Sequence, residues 1–119
     1  MHMTTDLFFH EPRDEEEDDL ATAFCHAENG DLFMLARFPD EEEVDITFLD
    51  DTIHVDSHLK VSLDATCLRV EIDAADAGPL GGDTVYEIAH KMPPEDLAEL
   101  DATLRIILKD VGTYVSEIA

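Results

Sequence analysis

The groups in this chain able to do chemistry are six histidines, two cysteines and 30 Asp and Glu residues, and their spacing decides what each can do. On a helix, His54 and His58 would sit together and share a metal. The residues around them alternate apolar and polar instead, which places the two about 13 Å apart along one face of a strand. His54 and Asp56, at i and i+2, are close enough to pair or to mark an enzyme pocket with His58, and an exposed polar strand face explains them equally well. No Cys/His set at zinc spacing occurs. Cys25 beside His26 places a nucleophile next to a base in sequence, but neighbours on a strand point to opposite faces. Only a distant histidine could then serve Cys25. Carboxylate pairs abound, yet acid–base chemistry needs two acids whose surroundings split their pKa values, and runs of acids favour solvent. No calcium loop of alternating Asp closed by Glu is present. Gly78, Gly81 and Gly82 lack the Lys or the following helix of a phosphate loop. The sequence therefore predicts no catalytic residues, no metal and no cofactor. It reads as a binder.

Charge points the same way. Against the 30 acids stand 7 Lys and Arg, a formal net of -23 on 119 residues, and such an imbalance strains a folded state by self-repulsion. The acids also cluster. Glu11 is followed by Asp14, Glu15, Glu16, Glu17, Asp18 and Asp19, then by Asp40, Glu41, Glu42, Glu43 and Asp45, then by Asp50 and Asp51. Runs of this kind serve either as solvated surface or as interaction segments. The expected partner-binding residues are Glu15, Glu16, Glu17, Asp18, Asp19, Glu41, Glu42, Glu43, Asp50 and Asp51. Arg13, Arg37, Lys60, Arg69, Lys91, Arg105 and Lys109 are scattered and form no patch that would displace counterions from phosphates, which argues against direct nucleic-acid binding. The same sign argues against anionic membranes.

Length predicts one domain over residues 1–119, and 45% hydrophobic content gives it a core that a disordered acidic chain lacks. Cys25 and Cys67 fall in apolar strand-like segments, as free buried thiols or as a disulfide pair. No apolar run is long enough to span a membrane, and residues 1–4, expected to be disordered, show neither part of a signal peptide. A cytoplasmic location is the expectation.

The elements that must position these groups are mostly strands. Residues 5–10 read as a first short strand. Residues 20–27 and 32–38 flank Glu28-Asn29-Gly30-Asp31, a hairpin signal because Asn and Gly tolerate positive φ. Residues 32–36 are apolar on both faces, as a central strand is. Val44, Ile46 and Phe48 alternate with polar residues. Ile53, Val55, Ser57, Leu59, Val61 and Leu63 extend that alternation into one long strand or bent pair, kinked near Ser57. A turn at residues 64–66 leads into Leu68, Val70 and Ile72. Residues 78–82 read as a loop and 83–90 as the last strand. Pro94 then opens a helix over about 94–111, with Glu95 and Asp96 at its positive end. Its stripe is Leu97, Leu100, Leu104, Ile107, Leu108 and Val111, continuing in phase to Val115 and Ile118. Asp101 and Arg105 form an i,i+4 pair, and Ile106, opposite the stripe, is a stray apolar residue or an interface anchor. Gly112 ends or kinks the helix, leaving 113–119 as a second turn or a frayed tail. The predicted fold is α+β: an antiparallel sheet of about six to seven strands packed against one C-terminal amphipathic helix.

Residues 59–73, from Leu59-Lys60-Val61-Ser62-Leu63 to Arg69-Val70-Glu71-Ile72, resemble the second half of the immunity protein 10 family. The likeness continues through Ala77 and Leu80, Val85-Tyr86-Glu87-Ile88, and Leu97, Leu100, Leu104 and Ile107. The hairpin ahead of Leu32-Phe33-Met34-Leu35-Ala36-Arg37 is similar to that family's earlier hairpin. His54 to His58 stand where the family has a Gly-Gly signature. The resemblance implies a small protein that binds and neutralises a polymorphic toxin, with no catalytic residues of its own. With the charge, it leads to an immunity or inhibitor protein whose acids meet a cognate toxin with a basic surface, such as a nuclease. Two alternatives carry the same acidity: a nucleic-acid mimic that antagonises a DNA- or RNA-binding protein, and a salt-adapted protein of unrelated function.

Overall fold

The computed structural model describes residues 2–6, 8–14, 19–28, 30–39, 41–56, 59–78, 84–109 and 111–117. Among these residues the fold is α+β, with ten strands in two sheets and one main C-terminal helix. Strands β2 (Phe9–Asp14), β3 (Leu20–His26), β4 (Leu32–Arg37), β5 (Val44–Phe48) and β6 (Asp51–Val55) form an antiparallel meander in chain order. The expected hairpin joins β3 to β4, with Gly30 at φ +91° where a side chain would be strained, and β4 is the central strand. The second sheet is mixed. Strands β7 (Lys60–Asp64), β8 (Cys67–Glu71) and β9 (Val85–Ala89) run antiparallel, while β1 (His2–Thr4) lies parallel to β9 and β10 (Thr113–Glu117) parallel to β7. A single turn of helix, α1 (Ala74–Ala77), capped by the Asp73 side chain, precedes β9, and α2 (Pro94–Ile107) follows it.

Four expectations are corrected. One sheet of six to seven strands is replaced by two sheets of five. The long alternation between 52 and 64 divides between them, because Ile53 and Val55 keep phase with Leu59, Val61 and Leu63 while the chain crosses from one sheet to the other. A common core is satisfied by either arrangement, so the period alone could not separate them. Residues 2–4, expected to be disordered, form β1: Met3 is buried opposite Ile88, and the Thr5 amide donates to the Ala89 carbonyl at 2.8 Å. The helix ends at Ile107, short of 111, and residues 113–117, read as a turn or frayed tail, form β10. Gly112 makes that possible at φ +65°, where an added Cβ would collide with the Leu59 carbonyl oxygen, the group that accepts from the Thr113 amide at 2.8 Å.

The two sheets bury one face each in a shared core. Tyr86 of β9, fully buried, sets its ring 5.3 Å from that of Phe33 and 5.5 Å from that of Phe48, joining the mixed sheet to the meander. Helix α2 packs on β2, β3 and β4, burying Leu97, Leu100, Leu104 and Ile107, and touches β10. Ala21 and Ala23, small and buried on β3, leave room for it. The predicted Asp101–Arg105 pair is present at 3.0 Å, and Asp101 also accepts from the Tyr114 hydroxyl at 2.7 Å, tying α2 to β10.

Candidate docking face

Each sheet therefore keeps one face wet, and the meander's wet face carries two cross-strand rows. Strand register aligns Phe9, Phe24, Met34, Thr47 and Thr52 across all five strands. Two residues along, it aligns Glu11, Thr22, Ala36, Asp45 and His54. The first row begins apolar and turns polar: Phe9, 52% exposed, stacks on half-buried Phe24 at 5.1 Å between ring centroids, and Met34 is half-buried beside them. At the β6 edge the Thr47 and Thr52 hydroxyls hydrogen-bond at 2.8 Å. The second row carries acids at Glu11 and Asp45 with small residues between. At the β5–β6 turn, Leu49 is 45% exposed with φ +59°, a left-handed conformation that costs a branched side chain of order 1 kcal/mol. Its amide is held by the Leu32 carbonyl at 2.9 Å.

The sequence-predicted acids fall around this face in separate groups. Glu41, Glu42 and Glu43 are exposed between β4 and β5, where they and His54 line an open hollow of about 590 Å³. Asp50 and Asp51 are exposed at the opposite end of the β5–β6 hairpin, about 17 Å away by strand rise. Asp19, half-buried at φ +64°, opens β3. Glu15, Glu16, Glu17 and Asp18 lie outside the described residues, as does His58. None of Glu41, Glu42, Glu43, Asp50 or Asp51 forms an ion pair with Lys or Arg among the described residues. Arg37, the nearest cation in sequence, gives its protons to carbonyl oxygens. Its Nε donates to Glu41 at 3.2 Å and its Nη1 to Ile107 at 3.3 Å and to Lys109, so it fastens the acidic loop to the end of α2 without neutralising the carboxylates.

His54 finds its partner across the strands. Its Nδ1 meets Asp45 at 2.5 Å, and that hydrogen bond, with the charges of Asp45, Glu43 and Glu41, raises its pKa. The sequence reading offered Asp56, a neighbour along the chain, because pairing register is invisible without the sheet.

The mixed sheet's wet face is built differently. Register aligns Val115, Ser62, Arg69, Glu87 and His2, and Arg69 reaches Glu71 at 3.2 Å and Glu87 at 3.8 Å. Glu87 also lies 3.7 Å from His2. Asp64 accepts from the Thr66 amide at 2.8 Å and the Cys67 amide at 2.7 Å, bonds that hold its pKa down. These acids are engaged within the fold.

The remaining reactive groups are placed as follows. Both cysteines are free. Cys25 is fully buried, its thiol pushed up to about 12 by burial, and His26 points to the opposite, wet face. Burial raises Cys67 as well. No group of three or more His, Cys, Asp or Glu among the described residues is placed to hold a metal ion. His90, which sequence reading passed over, is buried. Its Nδ1 accepts from the Met92 amide at 3.3 Å, its Nε2 donates to the Asp64 carbonyl at 3.2 Å, and burial lowers its pKa. Ile106 is 46% exposed beside Ala21, Pro39 and Arg37.

The aromatic row was also missed. In Leu20-Ala21-Thr22-Ala23-Phe24-Cys25-His26, size alone would send Phe24 inward. The helix lying against the alanines reverses that choice.

Compared with family models, curated proteins and solved structures, the chain matches none. Among the described residues no helix is long and apolar enough to cross a membrane.

Proposed function

We propose that this chain is an immunity-type inhibitor that binds and neutralises a cognate toxin with a basic surface, such as a nuclease, in the cytoplasm. One observation carries the reading: the charge is lopsided along a chain whose two halves supply most of two different sheets. Residues 1–59, which include the whole meander, hold eighteen of the acids and two of the Lys and Arg, whereas residues 60–119 hold twelve and five. Between Arg37 and Lys60 stand Asp40, Glu41, Glu42, Glu43, Asp45, Asp50, Asp51 and Asp56 with no Lys or Arg. A one-sided field steers a cationic partner to rapid encounter, and apolar contacts at the centre of the docked face then slow its release.

The test is to immobilise the chain, pass an extract of its source organism over it at low salt, and co-express whatever is retained. The expected result is one basic protein whose toxicity the chain relieves, released by rising salt. E41Q/E42Q/E43Q/D50N/D51N should associate with it about tenfold more slowly. Unchanged association by that variant removes the acidic surface from the role. Retention of several unrelated nucleic-acid-binding proteins would point to a phosphate mimic. No retained protein, with a Tm that climbs into molar salt, would point to salt adaptation.

A further inference from the structure

We infer that the stacked Phe9–Phe24 pair with Met34 is the anchor of the docking face, and that its occupant is a protein surface presenting arginine side chains. The inference rests on the proposed function and names what that partner must offer.

Singly exposed apolar side chains are ordinary, but a register-aligned cluster on a sheet's wet face is not needed by the fold, whose core lies on the other side. Phe9 and Phe24 are nearly parallel, 19° between planes, so each ring covers one face of the other, and Phe9, half-exposed on the outermost strand, offers aromatic surface with the flexible Met34 on the next strand beyond Phe24. Exposed Glu11 lies two residues along β2 from Phe9, while Asp45, three strands across from Phe9, is taken up by His54. An aromatic side chain with a carboxylate beside it on the same strand suits a guanidinium, which stacks on a ring and donates to an acid in its own plane. The molecule already contains a related contact, with the Arg105 guanidinium 5.6 Å from the centre of the Tyr114 ring while its Nε donates to Asp101 at 3.0 Å.

The same charges argue against other occupants. A second copy would bring a net of -23 against an equal charge across a self-complementary contact, and nucleic acid or an anionic membrane would meet repulsion at every border acid.

The experiment uses labelled full-length protein titrated with a short peptide of alternating Arg and Gly, and with its Lys counterpart of equal length and charge. The expected result is saturable movement of the Phe9, Phe24 and Met34 side-chain resonances, tighter for the Arg peptide. Phe9→Ser, at an exposed position that leaves the fold intact, should weaken the Arg peptide about fivefold to tenfold and leave the Lys peptide unchanged. Equal binding of both peptides, centred on Glu41, Glu42 and Glu43 and indifferent to Phe9→Ser, overturns the aromatic anchor and leaves the inhibitor reading standing. Absence of saturable binding by either peptide at low salt overturns both. Movement of the same resonances when the protein alone is concentrated would assign the face to self-association and overturn the inference.

Discussion

The wet faces of the two sheets are built to one plan and finished with opposite chemistry. Both cross five strands, and both back onto the core that Tyr86 closes. The mixed sheet sets Arg69 between Glu71 and Glu87, with His2 beyond, so its charges answer one another along β8 and across to β9 and β1. The meander sets Phe9, Phe24 and Met34 in the equivalent row and leaves Glu41, Glu42, Glu43, Asp50 and Asp51 without a Lys or Arg partner among the described residues. Since the mixed sheet shows that a wet face whose acids Asp64, Glu71 and Glu87 are engaged within the fold is compatible with this architecture, folding alone does not explain the unpaired acids around the meander. That difference is the physical reason to look for a partner on one side of the molecule.

The comparison holds only if both faces belong to one cooperative unit, and Tyr86 tests that. Replacing Tyr86 by Ala removes a ring that touches both sheets, and is expected to cost about 3–5 kcal/mol in denaturant unfolding. Amide exchange in β4 and β8 should accelerate together. If β8 exchanges faster while β4 is unaffected, the sheets are separate units and their faces should not be compared as parts of one surface.

A smaller effect separates the faces directly. E41Q/E42Q/E43Q removes uncompensated repulsion and should raise Tm at low salt by an amount equivalent to about 1 kcal/mol or less. The gain should vanish at about 0.5 M salt, where screening shortens the reach of charge to a few ångström. E71Q/E87Q removes both carboxylate partners of Arg69 and should lower Tm slightly or leave it unchanged. Equal gains from the two variants would mean that the mixed sheet's pairs provide no local compensation.

Much of this architecture was legible in the sequence wherever a local rule applied. Asn29-Gly30 marked the β3–β4 hairpin, alternation placed β5 and β8 but ran through β6 and β7 without dividing them, and the leucine stripe with Pro94 placed α2. What escaped reading depended on distant chain. Residues 2–4 are too short to show a period and become a strand because the β9 edge accepts them. Val111 and Val115 continue the helical phase, yet the chain turns at Gly112 because β7 offers a parallel edge for Thr113–Glu117. At the site, the acidic runs and their exposure could be read directly. The Asp45–His54 pair and the Phe9–Phe24 stack required strand register, and the outward turn of Phe24 required knowing that α2 lies against Ala21 and Ala23.

The smallest effect, and the sharpest in sign, comes from two histidines in opposite settings. His54, exposed on the meander's edge, gains from its bond to Asp45 and the nearby charges of Glu43 and Glu41, so its folded pKa lies above the ordinary 6.5. Its contribution to stability is fully present below pH 6.5 and fades as pH rises through the folded value. His90 is buried, and a second proton would oppose the Met92 amide that its Nδ1 now accepts, so its folded pKa lies below 6.5. The stability tied to neutral His90 is present above pH 6.5 and is lost as pH falls toward its folded value. An NMR titration of the imidazole protons should therefore show His54 charging before His90 as the solution is acidified. His54→Gln should remove the earlier of these two transitions and leave that of His90 in place. Coincident titration of the two near 6.5 would show that Asp45 and its neighbours impose no local field at the edge of the proposed docking face, and would remove the electrostatic distinction between that edge and the core.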